Sequence, residues 1–434
     1  MLVKNTTVVT MDADNQILKD VDVFVKDGRF AAIGKDLQTD GEGYQQVIDG
    51  TKTILMPGLI NMHSHIGMSL FRNYGNDVDL QTWLEKYIFP KEALLTREDV
   101  MKGSALNILE MLLTGTTTFV DMYYEMDGVA EVVSQMGIRA RLSRGMTGPD
   151  DGTRIREQRE LYQNWHGFND DMITVMIGPH AIYTNTKESL AEQKALGDEL
   201  GMGFNIHISE TKRENDECRE EHGKSPVEVF HDMGMLTEST IVGHAVWVDA
   251  RDIELLAANK VSCVYNPASN MKLASGFMPV KKLRDGGVNV CLGTDGASSN
   301  NKQDMFREMY LGTLIQKGYS LNPLEVTARD MLRMATINGA IALGMENEIG
   351  SIEVGKKADF ILVDFDNAHH TPYPEDIEAA LVYSTSGSDV VLTVVNGEVR
   401  VENGFYMPLE DGRTEEIIRE EAEEAWARLA EKEA

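Results

Sequence analysis

Apolar and polar positions follow three regimes along this chain. From residue 1 to 56, short β-rich runs at 5–10, 21–25 and 29–33 are broken by turn residues. Asp27-Gly28 is a hairpin signal. A polar loop then leads to Val47 and Ile48. The far end repeats the style, with β-branched runs at 360–363, 390–395 and 398–401 and a second hairpin signal at Asn396-Gly397. Two β-rich ends around a different middle predict one small β-sandwich assembled from both, residues 1–56 plus 346–410.

Between residues 57 and 345 the period changes. Apolar strand patterns at 59–62, 117–121, 139–142, 174–177, 204–208, 240–243, 261–264 and 288–293 alternate with helical patterns such as 97–114, 190–201 and 226–233. Eight strand–helix repeats predict an α/β fold, a (β/α)8 barrel of the TIM type, rather than a doubly wound sheet. Residues 411–434 carry Glu and Arg at helical spacing and predict a helix covering a surface, solvated on its outer side.

Length and composition narrow the function. The 434 residues suffice for a barrel of about 250 residues plus a second module. A net charge of -29 argues against nucleic acid or an anionic membrane as partner. No apolar run approaches the roughly 20 residues of a membrane span. The start, MLVKNTTVVTMDADNQ, lacks a basic segment followed by an apolar core. Cys218, Cys263 and Cys291 show neither pairing nor zinc-ribbon spacing and suit a reducing cytoplasm.

The candidate chemistry lies at strand ends. In PGLINMHSHIGM, His63 and His65 sit two apart on a strand and point to one side. His207 in FNIHISE, His244 in IVGHAVW and Asp295 in LGTDGASSN end strands five, six and eight. In a barrel all five fall on the C-terminal mouth, where chemistry gathers. One such histidine is usually a satisfied core residue; five metal-binding side chains, each at a strand end, are a joint signal. Imidazoles and a carboxylate without thiolate suit zinc, and also iron, manganese or nickel. Such an ion lowers the pKa of a bound water towards neutrality. Glu210, three residues after His207, reaches the same cavity as a proton carrier, and Asp295 can take a proton from the attacking water.

PGLINMHSH, HISE, GHAVW, NPASNMKLASG and LGTDGASSNN resemble the amidohydrolase superfamily. More narrowly they resemble its 5-methylthioadenosine/S-adenosylhomocysteine deaminases and the related triazine hydrolases. The likeness spans nearly the whole chain. It implies His63, His65, His207 and Asp295 as ligands of one divalent metal ion, zinc first, with iron or manganese as alternatives. His244 would stand beside the metal site. Two-metal members carry a lysine at the end of strand four, where this chain offers His180; that departure favours one ion. Glu210 would protonate a ring nitrogen of the heteroaromatic substrate.

Substrate contacts follow from the same likeness. Glu92 in FPKEALLT would bind both ribose hydroxyls; alone it reads as a helix-start charge. Arg144 in RLSRGM would bind the substituent on the ribose 5′ side; alone it reads as a surface ion pair. His180 could hydrogen-bond the ligand. Trp83 could stack on the nucleoside, with packing as its blunter role. The 266–279 loop, with Ser269, Asn270, Met271 and Gly276, should rim the pocket. His166, His222, His231 and the doublet His369-His370, read as surface residues, stay outside the site.

The expected activity is hydrolytic deamination of adenine nucleosides with 5′ substituents, namely 5-methylthioadenosine and S-adenosylhomocysteine, with adenosine as a further candidate, by a cytoplasmic enzyme compatible with homo-oligomerisation. The rivals are a hydrolase of a triazine, pyrimidine or guanine ring, and a non-catalytic metal-binding paralogue. Retention of Glu210, His244 and Asp295 argues against the second.

Overall fold

A computed structural model describes residues 1–37 and 46–432, so most of the polar loop expected between the third and fourth strands, and the last two residues of the tail, lie outside the described residues. The chain opens with β1 (Leu2–Val9), β2 (Ile17–Lys26), β3 (Arg29–Gly34), β4 (Val47–Asp49) and β5 (Thr53–Pro57). The barrel strands follow: β6 (Leu59–Ser64), β7 (Thr116–Tyr123), β8 (Arg139–Met146), β9 (Ile173–Val175), β10 (Gly178–Pro179), β11 (Asn205–Ile208), β12 (Ile241–His244), β13 (Ser262–Tyr265) and β14 (Asn289–Leu292). The end contributes β15 (Phe360–Asp364), β16 (Val390–Val395), β17 (Glu398–Glu402) and β18 (Phe405–Tyr406).

Strands from both ends pair in one nine-stranded sheet, ordered β18-β17-β16-β15-β5-β1-β2-β3, with β4 beside β1. The sheet folds over on itself. Phe30 of β3 meets Phe360 of β15 with ring centroids 5.8 Å apart. The two hairpin turns touch, since a side chain on Gly28 would strike the Asn396 carbonyl at 3.0 Å. Val3, Val23, Phe30, Leu55, Phe360 and Val394 fill the space enclosed. β-branched and aromatic residues on the inner face therefore make the sandwich from a single curled sheet.

The middle closes as a barrel of parallel strands. β6, β7 and β8 run side by side, β8 pairs with both β9 and β10, and β11 to β14 form the other arc. The fourth position is split between β9 and β10, and Pro179 can donate no ladder bond. One seam is held by Ile177 N–H to the Gly203 carbonyl at 3.0 Å and Asn205 N–H to the Ile177 carbonyl at 2.8 Å. The other is closed by Asp295 N–H donating to the His63 carbonyl at 2.9 Å. Gly293 permits that approach, because a Cβ there would lie 2.9 Å from the His63 nitrogen. Arg139 on β8 donates from Nε to Asp359 Oδ2 at 3.1 Å, both side chains buried, and ties the barrel to the sheet just before β15.

The tail is the helix Glu415–Ala430, capped by Thr414. It is more than a solvated cover: Ile418, Ala422, Ala425 and Leu429 are buried, and Trp426 meets Phe71 and Tyr74 edge-on. Lys91 Nζ donates to the Leu429 and Lys432 carbonyls at 3.0 and 2.8 Å. The tail thus fixes the segment after β6 that walls the barrel mouth. Among the described residues no helix is long and apolar enough to cross a membrane.

Candidate metal and active site

His63 and His65 leave β6 on the same face, as their spacing requires, with ring centroids 4.9 Å apart. β11 and β12 bring His207 and His244 to the same point, with centroids 4.8 and 5.2 Å from His63. Gly243 makes room, since a Cβ there would lie 3.1 Å from the His63 ring. Asp295, just past β14, completes the group with Oδ1 3.2 Å from His65 Nε2 and 3.5 Å from His63 Nε2. His244 and Asp295 have φ of 74° and 62°, the left-handed region that non-glycine residues enter at a cost and that recurs at functional sites.

The residues behind these rings set which nitrogen faces inward. His65 Nδ1 lies 2.6 Å from the Met122 carbonyl and His207 Nδ1 2.7 Å from the His180 carbonyl. A carbonyl can only accept, so each Nδ1 carries the hydrogen and each Nε2 turns a lone pair towards the other, 3.2 Å away. His244 Nδ1 meets Asn270 Oδ1 at 2.9 Å. Both His63 nitrogens are buried with no hydrogen-bond partner among the described residues. Asp295 Oδ2 accepts from Ser269 Oγ at 2.6 Å and Ser299 Oγ at 2.9 Å, leaving Oδ1 to the imidazoles. Converging lone pairs, a carboxylate and an orphaned buried imidazole form a donor set that suits a divalent cation.

The electrostatics divide the imidazoles, and a cation must displace the proton that Asp295 favours on His65. Burial pushes His63 and His207 well below the usual imidazole range. Burial opposes charge on His65 too, but Asp295 beside it raises His65 to about 9. Asp295, despite its burial, is held well below the carboxylate range by the hydrogen bond and charge of His65 and by His63 and His244.

Glu210 follows β11 and is buried. Its Oε1 accepts from Ser275 Oγ at 3.1 Å, and Oε2 lies 3.7 Å from His244 Nε2. Its backbone N–H donates to Glu214 Oε2 at 2.7 Å. Burial raises Glu210, and lifts Glu214 to about 7. Glu92 Oε1 accepts from the Tyr123 hydroxyl at 2.7 Å, and desolvation raises Glu92 to about 6. Burial lowers His180 to about 4, so it is neutral at pH 7.

One cleft of about 670 Å³, its open mouth included, gathers these groups. His65, His180, His207, Glu210, His244 and Asp295 line it, together with Glu92, Tyr124, Trp83 and Leu273. Trp83 is buried with its indole N–H unpartnered. His63 lies in the cluster, fully buried.

Arg144 stands beside the cleft and not among its lining residues. β8 alternates, and Gly145 and Thr147 line the cleft while Arg144 does not. Its Nε donates to Glu157 Oε2 at 2.7 Å, its Nη1 binds the Gly145 carbonyl, and its guanidinium carbon lies over the Tyr124 ring, 5.0 Å from the centroid. A correction concerns His370, expected at the surface. It is buried, stacked on Phe365 with centroids 3.9 Å apart.

Sequence reasoning missed Tyr123, Tyr124, Tyr183 and Ser275. Tyr123 and Tyr124 follow the end of strand two, so the strand-end rule that found the histidines could have found them. Ser275 left no local signal; the 266–279 loop was expected to rim the pocket, and its contacts with Asp295, His244 and Glu210 arise only on folding.

Comparison with known proteins places this arrangement in a lineage. The amidohydrolase family pattern matches residues 54–400. A 5-methylthioadenosine/S-adenosylhomocysteine deaminase of Thermoanaerobacter pseudethanolicus is 45% identical over 410 residues, 93% of this chain and 94% of that protein. A 5'-deoxyadenosine deaminase of Methanosarcina barkeri is 42% identical over 99% of each chain. The crystal structure of an adenosine deaminase from Xanthomonas campestris with bound zinc superposes with a TM-score of 0.93 at 30% identity, covering 99% of this chain and 98% of that one. A barrel mouth of this design, with the family pattern running through four-fifths of the sequence, places the chain in the amidohydrolase family, alongside these nucleoside deaminases.

Proposed function

We propose that this chain is a zinc-dependent aminohydrolase that deaminates adenine nucleosides carrying 5′ substituents, giving the inosine analogue and ammonia. The observation that carries the reading is the presence of two kinds of group in one cleft. Proton-transfer groups Glu210, His244 and Asp295 line it, and so does a second carboxylate, Glu92, suited to ribose hydroxyls. A small free base would leave Glu92 unused. The names of the Thermoanaerobacter and Methanosarcina relatives support the same substrate class.

His63, His65, His207 and Asp295 would hold one zinc ion, which supplies Lewis acidity and eases deprotonation of water when bound. The chain's own residues do the rest. Glu92 binds the ribose hydroxyls, Trp83 and Leu273 cover the nucleoside and exclude water, and His180 donates or accepts at the ligand edge. His244, fixed through Nδ1 by Asn270, orients the attacking water. Water oxygen bonds to the amine-bearing ring carbon as Asp295 removes one of its protons. Glu210 gives its proton to the neighbouring ring nitrogen, which would otherwise bear the developing negative charge. Asp295 then passes its proton to the amine. The carbon–nitrogen bond breaks, ammonia leaves, and the remaining hydroxyl proton returns to Glu210 as the carbonyl forms.

The unpaired, buried cysteines fit a cytoplasmic location within the same reading. The test is ammonia release by zinc-loaded protein from a panel of adenosine, 5'-deoxyadenosine, 5-methylthioadenosine, S-adenosylhomocysteine and guanine. Turnover of the nucleosides is expected. Turnover of guanine alone, or of none with zinc bound, overturns the reading.

A further inference from the structure

A second glutamate stands directly behind Glu210. Glu214 is the third residue of the helix Lys212–His222, whose first turn is capped by Thr211. In an ordinary capping box the side chain at this position turns back to the N–H of the capping residue. Glu214 passes Thr211 by and takes the two N–H groups before it. Ser209 N–H donates to Oε1 at 3.0 Å and Glu210 N–H to Oε2 at 2.7 Å. The carboxylate is buried, and among the described residues no cation pairs with it; its neighbour Arg213 is bound to Glu217. A buried acid without a cation is costly unless its hydrogen bonds are worth keeping.

Those bonds fix a turn that is itself strained. Ser209 has a φ of 56°, in the left-handed region. Its N–H is held by Glu214, and its carbonyl accepts from Val246 and Trp247 N–H at 3.0 and 2.9 Å. The Trp247 indole N–H donates to the Ser275 carbonyl at 2.7 Å, and Ser275 Oγ donates to Glu210 Oε1. Glu210 is thus gripped at its backbone by Glu214 and at its carboxyl by Ser275.

We infer that Glu214 is a positioning residue for the proposed proton carrier: its two oxygens clamp the Ser209 and Glu210 N–H groups and keep the Glu210 carboxyl within reach of Ser275 and His244. Glu214 is absent from the residues lining the cleft and lines a neighbouring outer pocket instead, so it acts through Glu210 alone. The inference rests on the deaminase reading above.

The test is ammonia release from 5-methylthioadenosine by the zinc-loaded full chain, Glu214→Gln, Glu210→Gln and the double variant. It is run at pH 8, above the value of about 7 to which burial lifts Glu214. Glutamine keeps one acceptor and turns an amide N–H towards the other backbone donor. In Glu214→Gln, kcat should fall about tenfold to hundredfold, the scale of one charge-assisted hydrogen bond, with KM within about threefold and zinc content unchanged. In the Glu210→Gln background the same substitution should cost less than about twofold, because the group it positions no longer carries a proton. A merely structural role would slow both backgrounds by one factor. An equal factor in both, a Glu214→Gln kcat within about twofold of native, or zinc lost from that variant overturns the proposal. Should Glu214→Gln not fold, Glu214→Asp, which withdraws the carboxylate by one methylene, takes its place in the same cycle. If no nucleoside is turned over, the deaminase reading falls by itself. Amide hydrogen exchange then decides the clamp: protection of Ser209 and Glu210 that is lost in the Glu214 variant supports it, and unchanged exchange refutes it.

Discussion

Replacing Glu210 by Gln isolates the proton that the proposed chemistry needs most. Glutamine fills the same volume. Its Oε1 can still accept from Ser275 Oγ, and its backbone N–H still meets Glu214. Position therefore persists while the transferable proton is lost. Positioned general acids contribute about 10²–10⁴ in rate, so kcat should fall by that factor, about 2.7–5.5 kcal/mol in the barrier. KM should move far less, because the interaction lost belongs to the transition state. Glu210 lies outside the two clusters His63–His207–His244 and His63–His65–Asp295, so zinc content should match the native protein. The assay is ammonia release from 5-methylthioadenosine, with zinc measured on the same sample. A kcat within a few-fold of native refutes the role of Glu210 as proton carrier. A large loss accompanied by loss of zinc would mean instead that Glu210 supports the metal site.

Three further outcomes follow from the geometry. His63→Ala should lower bound zinc to background as measured by elemental analysis, since His63 is common to both ligand clusters; full zinc occupancy would contradict its assignment as a ligand. Glu92, raised by desolvation from 4.5 to about 6, binds ribose as the carboxylate, so KM should climb as pH falls below about 6 while zinc stays bound; a flat KM from pH 8 to 5 argues against it. The sign for stability is opposite: the folded state retains this proton longer than the unfolded chain, so ionising Glu92 disfavours folding above about pH 6, and Glu92→Gln should gain up to about 2 kcal/mol at pH 8 and nothing below pH 4.5 in denaturant titrations. Arg139→Met leaves Asp359 buried without its cation and should cost about 3–5 kcal/mol of stability by the same titration; a loss under about 1 kcal/mol would mean the pair does little to join barrel and sheet.

Much of this protein was legible because its signals are local. Strand periodicity gave eight barrel strands, and the rule that chemistry collects at strand C-termini selected His63, His65, His207, His244 and Asp295, which the fold brings to one point. His63 and His65 needed no tertiary information to share a face, since a strand repeats every two residues. The same rule of alternation turns Gly145 to the cleft and leaves its neighbour Arg144 beside it. Burial of one tail-helix face and of His370 depended on a neighbour 355 residues away (Trp426 on Phe71) in one case and on a local aromatic stack in the other.

By itself, then, the sequence determined the order and type of the elements and which side chains could bind a cation, because backbone periodicity and ligand chemistry are properties of a few adjacent residues. Only the tertiary structure decided which lone pairs face inward, which hydroxyls restrain Asp295 and Glu210, and that Arg144 is paired with Glu157. Those outcomes depend on carbonyls, serines and acids contributed by different strands and loops, whose separation in space no local pattern encodes.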